Sequence, residues 1–122
     1  MAVKKHWFHI LLALAQGPAH GAEIRRRVRA NTDDSLELYP AMLYGSLDDL
    51  LEKEFIRELE EQEVPSSDTA SRSRYHDLTP KGRQALAAEA KAYRKVAEAA
   101  LGLLARGGAG TKRESTDAGR WA

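Results

Sequence analysis

Apolar residues recur at helical spacing in three consecutive short segments, and helix-breaking residues separate these segments. The spacing predicts helices over about residues 3–16, 20–30 and 40–54. Gly17-Pro18 ends the first of them, and a polar turn precedes the third. Pro40 suits the first position of a helix, because its fixed φ and missing N–H cost nothing there. The N-terminal half of the chain is therefore predicted to be helical.

Two segments in which apolar and charged residues alternate follow the third helix. FIRELEEQ (55–62) and SRYHDL (73–78) are predicted to be antiparallel strands, joined by a flexible hairpin tip over VPSSDTASR (64–72). Thr79-Pro80 then provides the N-cap and first-turn proline of a long helix, which Gly107-Gly108 is expected to stop. The Gly-rich polar tail over residues 107–122 is predicted to be disordered.

The composition excludes several classes of protein. A chain of 122 residues fits one domain with a small core, and the absence of cysteine excludes disulfides and thiolate metal sites. The longest apolar run, 10–15, is too short to span a bilayer, and no signal peptide is recognised, so a cytoplasmic location is expected. His6 and His9 lack a third ligand nearby, and no nucleophile and base are paired, so neither a metal, a cofactor nor an enzymatic activity is expected.

Three helices followed by a hairpin are typical of a winged helix-turn-helix, a mainly α fold whose third helix enters the DNA major groove. Within this order, ILLALAQGPAHGAEIRRRV resembles the opening of the PadR family of transcription regulators, whose Gly-Pro-x-His-Gly turn is matched by Gly17, Pro18, His20 and Gly21. The resemblance continues through PAMLY (40–44), EFI (54–56) and YHDLTPKGRQAL (75–86). It extends over roughly residues 5–105, which is most of the chain.

The resemblance implies a homodimeric bacterial repressor. Residues 1–79 would form the winged DNA-binding domain, and 80–106 would form a single long dimerisation helix before the tail. In this helix, apolar and small residues follow one another at alternating intervals of four and three, and this spacing independently predicts a seam for a helical partner. The predicted dimer residues are Leu86, Ala90, Tyr93, Ala97, Ala100 and Leu104, with Trp7 as a further anchor. The alternative is that the stripe packs on its own domain.

The resemblance also implies release from DNA by a small, often aromatic molecule bound near the dimer interface. Trp7 and Tyr93 are the candidates for stacking on such an effector. The alternative for both residues is a purely structural role. A ligand of this kind must prefer one spacing of the two wings over another, because equal affinity would shift no equilibrium.

Charge is unevenly distributed along the chain. Residues 31–63 hold eleven acidic side chains against two basic ones, whereas 1–30 hold six basic against one acidic and 64–122 hold eleven against six. In the third helix Asp48, Asp49 and Glu52 share the outward face, so only the first two turns are expected to enter the groove. The family usually has Gly-Thr at the positions of Ala41-Met42, and often basic residues at Asp48-Asp49.

The residues predicted to contact DNA lie in the third helix, on the wing and on two neighbouring basic segments. Arg72, near the wing tip, is expected to enter a minor groove, and the tyrosine hydroxyls are expected to contact phosphates. The alternative for each arginine is a solvated charge or an ion pair with the acidic middle segment. The full set is Tyr39, Pro40, Ala41, Met42, Tyr44, Gly45, Arg72, Arg74, Arg25 and Lys81.

Two functions are compatible with these patterns. The first is a dimeric, ligand-responsive repressor that binds a palindromic double-stranded operator. The second is a winged-helix protein-interaction module that uses the acidic face of residues 45–61 to dock a basic partner and has no specific affinity for DNA. The arginines and the length of the resemblance favour the first function, and the acidic residues favour the second.

Overall fold

The structure, a computed structural model, describes residues 3–64 and 74–110. Four α-helices and three short strands make up most of this part of the chain. In order they are α1 (Lys5–Ala15), β1 (Ala19–His20), α2 (Gly21–Asn31), α3 (Pro40–Glu52), β2 (Ile56–Glu58), a 3₁₀ turn (Glu61–Glu63), β3 (Tyr75–Leu78) and α4 (Pro80–Gly110). The predicted fold class, mainly helical with a small β element and a long C-terminal helix, is confirmed.

The sheet has three antiparallel strands in the order β1-β3-β2, one strand more than the predicted hairpin. In β3, His76 lies opposite Ala19 of β1 on one side and opposite Glu58 of β2 on the other. The additional strand is the two-residue segment that follows Gly17-Pro18, and a segment this short has no periodicity that could predict it. The predicted hairpin tip, 64–72, lies almost wholly outside the described residues, and so does the end of the tail.

One hydrophobic core joins the three N-terminal helices to the sheet. Ile10, Leu11 and Leu14 of α1 are fully buried in it, together with Ile24 and Val28 of α2. Its other buried members include Leu38, Leu43, Leu47, Leu50, Phe55, Ile56 and Leu78. The apolar stripes that predicted the helices are therefore the faces that pack together, and they fix which side of α3 faces outward.

The turn between α1 and α2 is held by a side chain from within α2. The Arg27 guanidinium donates hydrogen bonds to the backbone oxygens of Ala13 and Gly17, at 3.1 and 2.7 Å. The Ala13 carbonyl oxygen also accepts a 3.2 Å hydrogen bond from the Gln16 N–H, so Arg27 adds a second donor there and ties the end of α1 to the turn at Gly17. Gly17 has a φ of 131°, a conformation that other residues rarely adopt, so the glycine is required there.

The first turn of α4 is anchored to the loop after α3. Thr79 caps the helix by accepting a hydrogen bond from the Gly82 N–H at 3.0 Å, and its hydroxyl donates to the Glu54 carbonyl oxygen at 2.6 Å. The Thr79 N–H donates to the Phe55 carbonyl oxygen at 3.1 Å. The predicted N-cap is thus present, and it also connects α4 to the winged-helix core.

Helix α4 continues to Gly110, past the stop predicted at Gly107-Gly108. The prediction was wrong because glycine is permissive rather than prohibitive in a helix, costing about 1 kcal/mol relative to alanine. The chain divides into two compact units, residues 1–89 and 90–122, so 80–89 belong with the winged-helix core. None of the described helices combines the length and the apolar character that crossing a membrane requires.

Candidate nucleic-acid interface

The first two turns of α3 carry the largest exposed aromatic side chains near the core. Tyr39, the N-cap residue, is 66% exposed, Met42 and Tyr44 are 47 and 50% exposed, and Ala41 and Gly45 are also exposed. Leu43 and Leu47 are buried on the opposite face. A rigid core therefore presents a mixed aromatic and thioether surface at the N-terminal end of this helix.

Contacts from α2 fix the position of α3. The Arg25 guanidinium donates a hydrogen bond to the Leu38 carbonyl oxygen at 2.8 Å and another to the Glu37 carboxylate at 3.2 Å, just before α3 begins. Tyr44 packs against the start of α2, where a Cβ added to Gly21 would lie 2.7 Å from its hydroxyl oxygen. A side chain at Gly21 would therefore displace the Tyr44 ring from this position. Arg25, a predicted DNA contact, is used at least partly to shape the loop that leads into α3.

The acidic residues of α3 lie on the same exposed face but in its second half. Asp48, Asp49 and Glu52 are all exposed, as their spacing indicates. Asp49 follows Met42 by seven residues, which is about 10 Å along a helix axis. The N-terminal half of the face can therefore approach a polyanion while the carboxylates stay about two turns away.

The basic side chains of α2 are paired within the domain. Arg26 and Arg27 both donate to the Glu23 carboxylate, at 2.6 and 2.8 Å, and Arg29 lies 3.5 Å from Asp34. Hydrogen bonds from Arg26, and then from Arg27, lower the pKa of Glu23 to about 2. Ion pairs of this kind reduce the positive electrostatic potential of α2. The segment is therefore expected to attract phosphate groups less strongly than its number of arginines suggests.

The basic side chains of the wing and of the start of α4 differ in whether they form ion pairs with acidic residues. Arg74 is paired with Glu58 across the sheet at 3.1 Å, whereas Arg72 lies outside the described residues. Lys81 is exposed, and its ammonium lies 5.7 Å from the centroid of the Phe55 ring. Among the described residues no acidic side chain forms an ion pair with Lys81. It is therefore the predicted phosphate contact with the fewest competing interactions.

His76 of β3 is buried against the rest of the winged-helix core, which the sequence analysis did not predict. It is only 2% exposed, and neither ring nitrogen has a hydrogen-bond partner in the described part of the chain. Burial lowers the pKa of His76, and the nearby Arg74 lowers it further, while Glu58 and Asp48 act in the opposite direction. The neutral ring is therefore the form that the folded state accommodates.

Acidification is expected to destabilise the fold through His76. Below its ordinary pKa of 6.5 the unfolded chain binds the proton more readily than the folded chain, so stability falls as the pH falls through this region. The loss can reach about 1.4 kcal/mol per pH unit. Urea unfolding at pH 7.5 and 5.5 should show a smaller difference for His76→Phe than for the unmodified chain.

His6 and His9 also contribute to the pH dependence of stability that this measurement detects. Burial also lowers the pKa of each, with help from a neighbouring lysine, so some loss of stability in acid should remain in His76→Phe. A variant with the same pH dependence as the unmodified chain would contradict the role given to His76.

The predicted dimer and effector residues fall into two groups. Trp7 is 5% exposed, with the ammonium groups of Lys4 and Lys53 at 5.0 and 5.8 Å from its ring, so little of this ring is accessible to a ligand or a partner. Leu86 is half-buried against the core. The others, Ala90, Tyr93, Ala97, Ala100 and Leu104, are exposed along α4 in the second compact unit.

The same part of α4 exposes three further apolar side chains that the predicted seam omitted. Val96, Leu101 and Leu103 are 68, 66 and 62% exposed, and Leu104 of the seam is 69% exposed. With 3.6 residues per turn, Val96 and Leu101 lie on either side of the seam. The apolar face is therefore wider than the four-and-three pattern indicated.

Comparison with known proteins identifies a matching family model and several similar solved structures. Residues 10–88 match the model of the family described as "Transcriptional regulator PadR-like family". A comparison with curated protein sequences found no match.

Similar solved structures include a transcriptional regulator from Clostridium thermocellum (20% identity, 76% of this chain and 86% of that one, TM-score 0.63). A PadR-like transcription factor from Bacteroides fragilis shares 20% identity over 80 and 88% of the two chains, with a TM-score of 0.59. A winged-helix DNA-binding protein from STIV shares 18% over 79 and 95%, with a TM-score of 0.62. At these identities the likeness establishes the winged-helix fold.

Proposed function

The chain belongs to the PadR-like family of transcriptional regulators, and from this premise we propose that it is a cytoplasmic homodimer that binds a palindromic operator and represses transcription. Family membership implies DNA-binding regulation and agrees with the expectation that the chain is not an enzyme. The operator, the dimer, the direction of regulation and the effector are the proposed parts.

The observation that carries the proposal is the exposed first half of α3. In a winged helix-turn-helix this helix enters the major groove by its N-terminal end. Here that end presents Tyr39, Met42 and Tyr44 on a firmly held helix, and at Gly45 no atom lies within 4 Å of the position of an added Cβ. A base pair can therefore approach the backbone closely at Gly45.

The exposed apolar side chains of α4 support the dimer. Val96, Leu101, Leu103 and Leu104 together form a large apolar surface on a single helix, which a soluble monomer rarely leaves uncovered. The alanines among them permit two helices to pack closely. In the proposed dimer this surface packs against its copy in a second chain, and two α3 helices then reach successive major grooves.

We also propose that a small aromatic effector binds near Tyr93. Tyr93, at 40% exposure, has ring surface for stacking, whereas Trp7 is nearly covered. A ligand bound at Tyr93 beside the dimer contact would change DNA affinity only by favouring one arrangement of the two wings.

The proposal is tested by measuring the protein's preference for a selected DNA sequence. Duplexes are enriched on the purified protein from a randomised pool, and the anisotropy of the best one is then titrated against a scrambled duplex at two salt concentrations. A preference of at least about a thousandfold and a steep loss of affinity with salt are expected. Equal, weak binding to both duplexes would overturn the proposal and favour a docking role for the acidic face of residues 45–61.

Lys81→Ala is expected to weaken binding to the selected and scrambled duplexes alike. Removing one phosphate contact lowers the slope of log K against log salt by about 0.9 and leaves the sequence preference unchanged. Lys95→Ala is the matched control, because Lys95 is also exposed on α4 but lies in the second compact unit. Equal slopes for the two variants would remove Lys81 from the interface.

A further inference from the structure

We propose that α3 identifies its operator through thymine C5-methyl groups, with Met42 as the residue that reads them. This inference rests on the proposed function and specifies the base class that the interface recognises. The ligand is a thymine-containing stretch of each half-site, facing the first two turns of α3 in the major groove.

The exposed residues at the N-terminal end of α3 include none of the usual hydrogen-bonding side chains that read bases. Guanine is read by the paired donors of arginine or by lysine, adenine by the amide of asparagine or glutamine, and cytosine by a carboxylate. Residues 39–45 are Tyr-Pro-Ala-Met-Leu-Tyr-Gly, which contains none of these groups. The thymine methyl is the apolar feature of the major-groove edge, and it is the feature that an apolar face can distinguish.

The geometry brings the apolar groups into one row. Tyr39, Met42 and Gly45 follow one another at intervals of three, so they are neighbours along one side of the helix start. Met42 is 47% exposed, and no atom lies within 4 Å of the position of a Cβ added to Gly45. A flexible, polarizable thioether in this position can settle on a methyl group without needing an exact hydrogen-bond geometry.

The carboxylates of Asp48 and Asp49 limit how much of α3 can lie against the bases. Asp48 and Asp49 are exposed about 9–10 Å further along the helix from Met42. They repel phosphates, and a carboxylate reads cytosine by accepting from its amino group. If the helix were inserted deeply enough for these acids to reach bases, the operator would depend on cytosine rather than on thymine methyls.

Replacing thymine by deoxyuridine tests the inference, because the exchange removes the methyl and keeps every hydrogen-bonding group of the base. Each thymine of the selected duplex is exchanged in turn, and affinity is measured by anisotropy at fixed salt. At one or two positions of each half-site the affinity should fall about fourfold per methyl, the change expected for one buried CH₂-sized group. A cytosine placed at such a position should bind better when it carries a 5-methyl group.

Variants at Met42 assign the effect to this side chain. Met42→Ala should bind the thymine and deoxyuridine duplexes equally at the sensitive positions, whereas Met42→Leu should keep most of the discrimination. Because Met42 is exposed, both variants are expected to fold, and circular dichroism checks that they do.

The outcomes separate the inference from the function on which it rests. A selected duplex that binds specifically but tolerates deoxyuridine at every position, or that depends on cytosine instead, would overturn the inference alone. Sensitivity to deoxyuridine that persists in Met42→Ala would overturn the role of Met42. A protein that prefers no duplex at all would overturn the proposed function and the inference together.

Discussion

Replacing Gly82 with alanine is expected to lower the free energy of unfolding by about 3 kcal/mol, the upper end of the usual penalty for overpacking. An alanine Cβ at this position would overlap the carbonyl oxygen of Phe55 and would lie 2.9 Å from its carbonyl carbon. Both are backbone atoms, so no side chain can rotate away. The intrinsic preference of helices for alanine, about 1 kcal/mol in the opposite direction, is too small to compensate.

The backbone at Phe55 has little freedom to move away from a new methyl group. Its carbonyl oxygen accepts a hydrogen bond from the Thr79 N–H, and the preceding Glu54 carbonyl accepts one from the Thr79 hydroxyl. Glu54 itself has a φ of 64°, in the left-handed region that only a few non-glycine residues adopt. Relieving the clash would therefore break the attachment of α4 to the core.

Gly102 and Gly45 provide matched controls within helices. At neither position does any atom lie within 4 Å of an added Cβ, so alanine should stabilise the chain by roughly 0.5–1 kcal/mol through helix propensity. Urea denaturation followed by circular dichroism compares the three variants. A Gly82→Ala variant as stable as the controls would mean that α4 and the 54–55 loop separate readily.

The helices could be predicted from sequence because the residues with helical apolar spacing are the ones that the core buries. The apolar stripe of α1 and the leucines of α3 are the residues that the core buries, and Pro40 and Thr79 mark the starts of α3 and α4. These features depend on spacing and on backbone chemistry within a few residues. The outward position of Asp48 and Asp49 follows from the same spacing.

Features that depend on partners distant in sequence could not be predicted in this way. The strand at Ala19–His20 exists because β3, more than fifty residues later in the chain, offers it backbone hydrogen bonds. The glycine at position 82 looks unfavourable for a helix until the carbonyl group of Phe55 is placed beside it. In both cases tertiary structure overrides local propensity.

Charge was the least predictable part of the candidate site. The arginines of α2 suggested a surface for phosphate, but Arg27 holds the end of α1 and Arg25 holds the segment before α3. The carboxylates that pair with α2 come partly from the acidic segment that follows it, such as Glu37. A count of charges along the sequence does not show which of them pair after folding, and this is why Lys81 emerges as the more accessible candidate.

Leu104→Asp is expected to convert the proposed dimer into a monomer and to lower operator affinity by a factor of a hundred or more. Leu104 is 69% exposed on the apolar face of α4, and each copy of the chain would place a carboxylate in the shared contact. Two linked half-sites gain about 10²–10⁴ in affinity from an effective concentration that separate monomers lack. Sedimentation equilibrium measures the mass, and anisotropy with the selected duplex measures the affinity.

Gly102→Asp is the control, because it introduces the same charge nearby on α4 but on the side opposite to the apolar face. That variant should remain a dimer and bind the duplex as the unmodified chain does, and circular dichroism should show the same helix content in both variants. If Leu104→Asp monomerises yet keeps full affinity, each α3 helix acts alone and a palindromic operator is unnecessary. If it stays dimeric, the contact lies elsewhere, and the exposed leucines of α4 need a different partner.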